Sequence, residues 1–237
     1  MIPKVIHYCW FGGNPLPADV KACIKSWKKF CPDYEIVEWN ESNFDISCHP
    51  FVKSAYEAKA WAFVSDYARL KIVYDQGGIY FDTDVELLKN MDFLLTNSCF
   101  LGIEQHKQFC ATGLGFGAEK ENSVIGAMLK EYEGLVYQNE EKERILCPLL
   151  NMTALKRLGY TYKDEPVLID GMLVLPPRYM DPLAPGNSKN LMCEDTISIH
   201  HYSATWDVPR NQMKRKLFRI IGEEKIHAIK RILKRGL

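Results

Sequence analysis

Asp75-Gln76-Gly77-Gly78-Ile79-Tyr80-Phe81-Asp82-Thr83-Asp84-Val85 decides how this chain is read. Glycine accepts the positive φ of a helix C-cap, so Gly77 predicts the end of an incoming helix. Ile79, Tyr80 and Phe81 predict a short buried strand. Asp82 and Asp84 follow at its far end. Residues two apart on an extended backbone project to one side, so the two carboxylates converge. Like charges that close require a cation, a shared proton or bulk water. A hard divalent cation, its shell completed by phosphate oxygens, suits such a pair. An Asp-x-Asp pair taken alone reads rather as a solvated turn, so its surroundings carry the weight.

Upstream, Ser54 to about Tyr74 predicts one long helix. Ala58, Trp61, Ala62, Ser65, Ala68 and Ile72 give it a small apolar stripe. Asp66 and Arg69, three apart, are neighbours on one face. An exposed pair of this kind contributes little, but here an acid and a base precede a diacid.

Earlier still, Lys4 to Phe11 predicts a first strand closed by Gly12-Gly13-Asn14-Pro15. A glycine-rich turn after a first buried strand is where α/β nucleotide folds place a ligand. The spacing is neither a dinucleotide fingerprint nor a phosphate-cradling lysine loop. Pro17 to Phe30 predicts a helix with Val20, Cys23, Ile24, Trp27 and Cys31 inside, and Tyr34 to Trp39 a second strand. Strand, helix, strand, helix, strand is the signature of a parallel sheet. Trp10 and His7 read as buried packing residues on pattern alone.

Ser65-Asp66-Tyr67-Ala68-Arg69 followed by Gly77-Gly78-Ile79-Tyr80-Phe81-Asp82-Thr83-Asp84 resembles the family 32 glycosyltransferases. That family joins Asp-x-Asp sugar-nucleotide enzymes of the initiating-mannosyltransferase and bacterial capsule types. The segment is also similar to the glucosylating domains of clostridial toxins. The composite Ser-Asp-x-x-Arg … Gly-Gly-x-Tyr-x-Asp-x-Asp pattern is specific. The resemblance implies an α/β fold: a single GT-A-type, Rossmann-like nucleotide-sugar domain with a mostly parallel sheet. It also implies a manganese or magnesium ion, and retention of anomeric configuration in the product.

By the same resemblance, Trp10 stacks on the donor's base. Asp66 and Arg69 hold the sugar, with Arg69 also near the phosphate. Asp84 coordinates the cation; Asp82 contacts ribose or sugar and joins the metal directly or through water. Tyr80 and Trp206 line the donor pocket. His201, with Thr205 and Trp206 in the family register, is the favoured third metal ligand and His200 the fallback. Adjacent strand residues face opposite ways, so only one of the two serves a given site.

Between these blocks, Val85 to Leu88 predicts an extended segment and Met91 to Leu95 a short turn or helix. Cys99 to Ile103 predicts a strand. Thr112 to Ala118 interleaves three glycines with apolar residues. That suits a backbone approached closely by something bulky, or a bulged edge strand. Asn122 to about Gln138 and Cys147 to Leu158 predict helices, and Val167 to Asp170 and Leu173 to Leu175 two short strands. Pro176 to Pro182 predicts a rigid loop. Thr196 to His201 predicts a last strand.

The 237 residues suffice for one large domain with a small appendage, divided here as 1–209 and 210–237. No apolar run is long enough to span a bilayer, and the opening residues do not read as an export signal. The reading is therefore cytoplasmic, peripheral on the inner face of a membrane. Eight cysteines without a Cys-x-x-Cys pair read as free thiols rather than a zinc site. The net charge of zero hides a tail that carries ten Lys or Arg against two Glu from Arg210 onward. A basic amphipathic tail suits an anionic membrane surface or the body of the domain. Base-reading modules are not evident, so nucleic acid is not expected as a partner.

The expected partners are a nucleotide-sugar donor, UDP- or GDP-linked, and a glycan or lipid-linked acceptor in surface polysaccharide synthesis. Two other classes remain open on sequence. One is a metal-dependent phosphodiesterase or pyrophosphatase acting on nucleotides. The other is a non-catalytic nucleotide-sugar-binding protein, which would need no diacid.

Overall fold

The structure, a computed structural model, describes residues 1–185 and 189–203. At its centre lies β1 (Val5–Cys9), whose last four residues are all buried. A strand covered on both faces reads as a continuous apolar run, which is the mark of a central parallel strand. α1 (Ala18–Phe30) crosses over to β2 (Glu35–Trp39), parallel to β1 with Val5 opposite Glu35. α2 (Pro50–Glu57) and α3 (Trp61–Gln76) then return the chain to β3 (Gly78–Tyr80), parallel to β1 on its other side with Ile6 opposite Ile79.

The remaining strands are β4 (Val85–Leu87), β5 (Cys99–Gly102), β6 (Phe116–Ala118), β7 (Val167–Ile169), β8 (Met172–Leu175) and β9 (Ser198–His200). α4 (Ser123–Lys130) and α5 (Cys147–Arg157) follow β6, and the one-turn α6 (Pro177–Met180) follows β8. Seven strands form one sheet in the order β2-β1-β3-β6-β5-β8-β7, and β4 pairs with β9 in a separate ribbon. β6 and β7 run against the other five strands of the large sheet. The mixed α/β architecture with a mostly parallel sheet is as expected.

Strand alternation divides the core into two layers. Ile6, Tyr8, Ile79 and Phe81 face a layer with Trp27 of α1, whereas Cys9, Tyr80 and Phe116 face a layer with Val64, Ala68 and Leu155 of the other helices. Trp27 is wholly buried; its indole donates to the Val85 carbonyl at 2.7 Å and packs its ring on Tyr8 and Phe81.

Three expectations are corrected, and one choice left open by the sequence is decided. The helix from Ser54 to Tyr74 is two helices, broken at Ala58-Lys59-Ala60, where Lys59 takes φ +55°. Ala58 is exposed in that break, and the buried face of α3 begins at Val64. Residues 112–118 contain no edge strand; β6 sits mid-sheet between β3 and β5. α4 ends at Lys130, well before Gln138. The proline-rich stretch from Pro176 closes into α6, with Pro177 in the first turn, where its missing N–H costs nothing. All eight cysteines are free, and only Cys48 and Cys193 are exposed. The basic tail, with Thr205 and Trp206, lies outside the described residues.

Candidate active site

β1 and β3 are parallel neighbours, and the chain goes from β1 to β2 on one flank of the large sheet and from β3, by way of β4, to β5 on the other, a topological switch point. Open α/β sheets bind ligands outside the carboxyl ends of strands at such a point. The Trp10–Asn14 turn leaves β1 there, and Asp82 and Asp84 leave β3 there, with the Phe81 amide bonded to the His7 carbonyl at 3.1 Å. Trp10 is half-buried, its indole donating to the Asn14 carbonyl. His7 is a core residue: Trp39 donates to its Nδ1 at 3.1 Å, and its Nε2 meets the Gly77 carbonyl at 2.9 Å.

Arg69 organises the sugar side. Its guanidinium is 5% exposed and donates to Asp66 Oδ1 at 2.6 Å and to the Ser65 carbonyl at 3.0 Å. It also lies 3.4 Å from Asp82 Oδ1. Its charge sits over the Tyr80 ring, 5.2 Å from the centroid. The Tyr80 hydroxyl donates to Asp82 Oδ1 at 3.0 Å. Tyr80 is 1% exposed, so it braces the carboxylate instead of facing an open donor pocket. Burial raises Asp66 to about 6, against the opposing pull of Arg69. The Asp82 amide bonds to the Gly113 carbonyl at 3.1 Å, bringing residues 112–115 against the diacid.

Asp84 is held by a different set of partners. The β4–β9 ribbon sets Val85 opposite His200, which brings the His200 ring beside Asp84, Nε2 to Oδ1 3.0 Å. The Ser203 amide donates to Asp84 Oδ2 at 2.6 Å, and the His201 amide to the Asp84 carbonyl at 2.9 Å. Burial alone would raise Asp84, but the His200 charge and hydrogen bond outweigh it and hold the carboxyl at about 2. Burial likewise works against the His200 imidazolium, and the Asp84 charge overrides it, lifting His200 to about 9.

Asp82, Asp84 and His200 offer three donor atoms within 4.8 Å of one another. Here the sequence preference is corrected: His200, not His201, reaches the diacid. His201 pairs instead with Glu86 at 2.9 Å. The cause is register, since antiparallel pairing of β9 with β4 points His200 at Asp84. Two carboxylates and an imidazole fit a divalent cation of the manganese type. Gly113, Ser203 and Tyr202 escaped sequence reasoning as site residues. For Gly113 a signal existed in the glycine-rich run; for the other two none did. Trp206 lies outside the described residues.

The mixed α/β sheet thus carries a carboxylate–imidazole cluster at the carboxyl ends of its central strands. Residues 17–101 match the family described as glycosyltransferase sugar-binding region containing DXD motif. Over this segment the chain is similar to the DXD glycosyltransferases. It is 34% identical over 98 residues to inositol phosphoceramide mannosyltransferase 3 of Schizosaccharomyces pombe, covering 40% of this chain and 27% of that protein. It is 30% identical over 109 residues to inositol phosphoceramide mannosyltransferase 1 of the same organism, covering 42% of this chain and 33% of that protein. The matches thus span about a quarter to a third of those relatives' lengths. Among solved structures, the PaToxG glycosyltransferase shares the fold with a TM-score of 0.53 at 18% identity, covering 66% of this chain and 69% of that one.

Proposed function

We propose that the chain is a metal-dependent, retaining hexosyltransferase. It moves a sugar from a nucleoside-diphosphate donor to a glycan or lipid-linked hydroxyl, in surface polysaccharide synthesis. The observation that carries this reading is the meeting of Asp82, Asp84 and His200 beside the buried Asp66–Arg69 pair. A pyrophosphatase-type hydrolase shares the diacid, but such sites usually gather more carboxylate and histidine ligands for a second metal. Among the described residues one such cluster is present.

Asp82, Asp84 and His200 would hold the cation, which when bound supplies Lewis-acid stabilisation of the departing diphosphate. Arg69, already fixed by Asp66 and the Ser65 carbonyl, presents positive charge to the same oxygens. Its geometry is set before substrate arrives, so no reorganisation is needed at the moment of reaction. Asp66 is ionised above about pH 6 and accepts hydrogen bonds from sugar hydroxyls, which orients the anomeric carbon. The Trp10 turn, at the neighbouring strand end, takes the base. No side chain is placed as a covalent nucleophile. Retention then proceeds by front-face attack, the leaving phosphate oxygen taking the acceptor's proton.

The relatives are named for mannosyl transfer to inositol phosphoceramide. That makes GDP-mannose the first donor to offer and an inositol-phosphate headgroup the first lipid acceptor. The test is product stereochemistry: proton NMR of the sugar released or transferred from α-linked UDP- and GDP-hexoses. An α-anomer as first product supports the reading; a β-anomer contradicts retention, and intact sugar phosphate points to pyrophosphatase chemistry.

A further inference from the structure

Asn151 is wholly buried on α5, one helical turn after Cys147, so the two share a face. Its side-chain Nδ2 donates to the Cys110 carbonyl at 3.2 Å, to Cys147 Sγ at 3.2 Å and to Thr112 Oγ1 at 3.3 Å. Thr112 is wholly buried too, and its hydroxyl lies 3.2 Å from Cys147 Sγ. The Asn151 side-chain oxygen, Oδ1, makes no hydrogen bond among the described residues. A buried acceptor left unpaired is costly, and asparagine is a poorer helix former than leucine. Packing alone would therefore favour an apolar side chain here. What the amide adds is its hold on Cys110 and Thr112.

That hold reaches the diacid. The Leu114 amide bonds to the Ala111 carbonyl at 3.1 Å, closing a turn with Thr112 and Gly113 at its centre. Asn151 grips the first of this central pair, and Asp82 sits against the second. The Asp82 amide bonds to the Gly113 carbonyl at 3.1 Å, and Asp82 Oδ2 fills the space where a side chain on Gly113 would stand. We propose that Asn151 is a positioning residue for the diacid, its amide fixing the 111–114 turn on which Asp82 is seated. The assignment rests on the metal-dependent reading above. Arg69 and Tyr80 hold the Asp82 carboxylate, whereas the turn holds its main chain. A displaced turn carries that main chain with it, and a misplacement of about 1 Å costs about 100-fold in rate. Asn151 itself stands outside the donor cluster of Asp82, Asp84 and His200.

The experiment is manganese binding to the full chain, read from the electron paramagnetic resonance signal of free manganese, which follows weak as well as tight sites. Asn151→Leu removes the donor and leaves an apolar side chain of similar size; circular dichroism checks that it folds. It should raise the manganese Kd about tenfold or more. In an Asp82→Ala background the same change should alter Kd by less than about twofold, because the residue it acts through is gone. Unchanged affinity in Asn151→Leu would overturn the proposal. So would an equal loss in both backgrounds, which is what a general loosening of the fold produces. Should the leucine variant not fold, Thr112→Val removes one acceptor at constant shape. It should raise Kd at least about threefold, with the same dependence on Asp82; no rise there overturns the proposal equally. Failure of the wild-type chain to bind manganese would instead remove the metal reading itself, and this assignment with it.

Discussion

Gly113 has no room for a side chain because Asp82 fills its place: a Cβ on Gly113 would lie 2.2 Å from Asp82 Oδ2 and 3.0 Å from the Arg69 guanidinium. The two residues are also joined through the backbone, the Asp82 amide bonding to the Gly113 carbonyl. One methyl group would therefore have to displace a carboxylate held by Arg69 and Tyr80. Gly113→Ala is expected to lower kcat/KM about 100-fold or more by misplacing the diacid, with a circular dichroism spectrum like the wild type's. Near-normal kcat/KM would show that Asp82 need not sit where the structure puts it.

Histidine assignment separates cleanly. His200→Ala should raise the manganese Kd at least about tenfold, since it deletes one of three donors. His201→Ala removes an ion pair with a partly exposed Glu86, and such pairs contribute little. It should leave manganese binding within about twofold. The reverse pattern, by titration calorimetry, would restore the register favoured by the sequence.

Arg69 faces two buried or half-buried carboxylates, and its own ionised form is stabilised by both. Arg69→Ala leaves Asp66 without its counter-charge. Breaking a buried pair by removing one partner costs about 3–5 kcal/mol. Urea unfolding should show a loss of that size; a loss under about 1 kcal/mol would mean water already screens the pair.

Asp66 sets a pH limb. Its folded value of about 6 lies above its ordinary 3.8, so between these the folded state binds more protons than the unfolded one. Stability contributed by this group is present below about pH 4 and declines as pH rises through about 6. The stability difference between wild type and Asp66→Asn should therefore shrink over that interval. Activity moves the opposite way, kcat/KM falling as pH drops below about 6 because the protonated acid no longer accepts from the sugar. Asp66→Asn should be weakly active and lack that limb; an unchanged limb in the variant would assign it to another group.

Much of this was legible in the sequence, and for physical reasons. The first strand, α1, β2 and the Gly77 stop each follow from local patterns, a buried apolar run, a helical stripe or a residue with special backbone freedom. The Asp66–Arg69 pair is three apart on one helix, so its contact needs no knowledge of the fold. The break at Lys59 was not legible: Ala58, Lys59 and Ala60 are good helix formers, and tertiary packing overrides them. The choice of His200 over His201 depends on how β9 aligns with β4 across more than a hundred residues of chain, which alternation alone does not specify. The glycine-rich run around β6 left two readings open, a bulged edge strand and a backbone approached closely by something bulky, and the second holds. β6 is central because Gly115 and Gly117 admit the Phe81 and Phe100 rings, which a Cβ at either position would meet at 2.5 Å. Asn151 carries no local signal of its contacts, since Cys110 and Thr112 come from a distant segment.

The most direct test of the account is release of nucleotide from GDP-mannose and a panel of UDP- and GDP-hexoses by the full chain, with manganese and with chelator, beside Asp84→Ala. The account predicts that one donor is turned over only with the metal, and that Asp84→Ala lowers the rate at least about 100-fold. Turnover that persists in chelator, or an Asp84→Ala variant as active as the wild type, would contradict it.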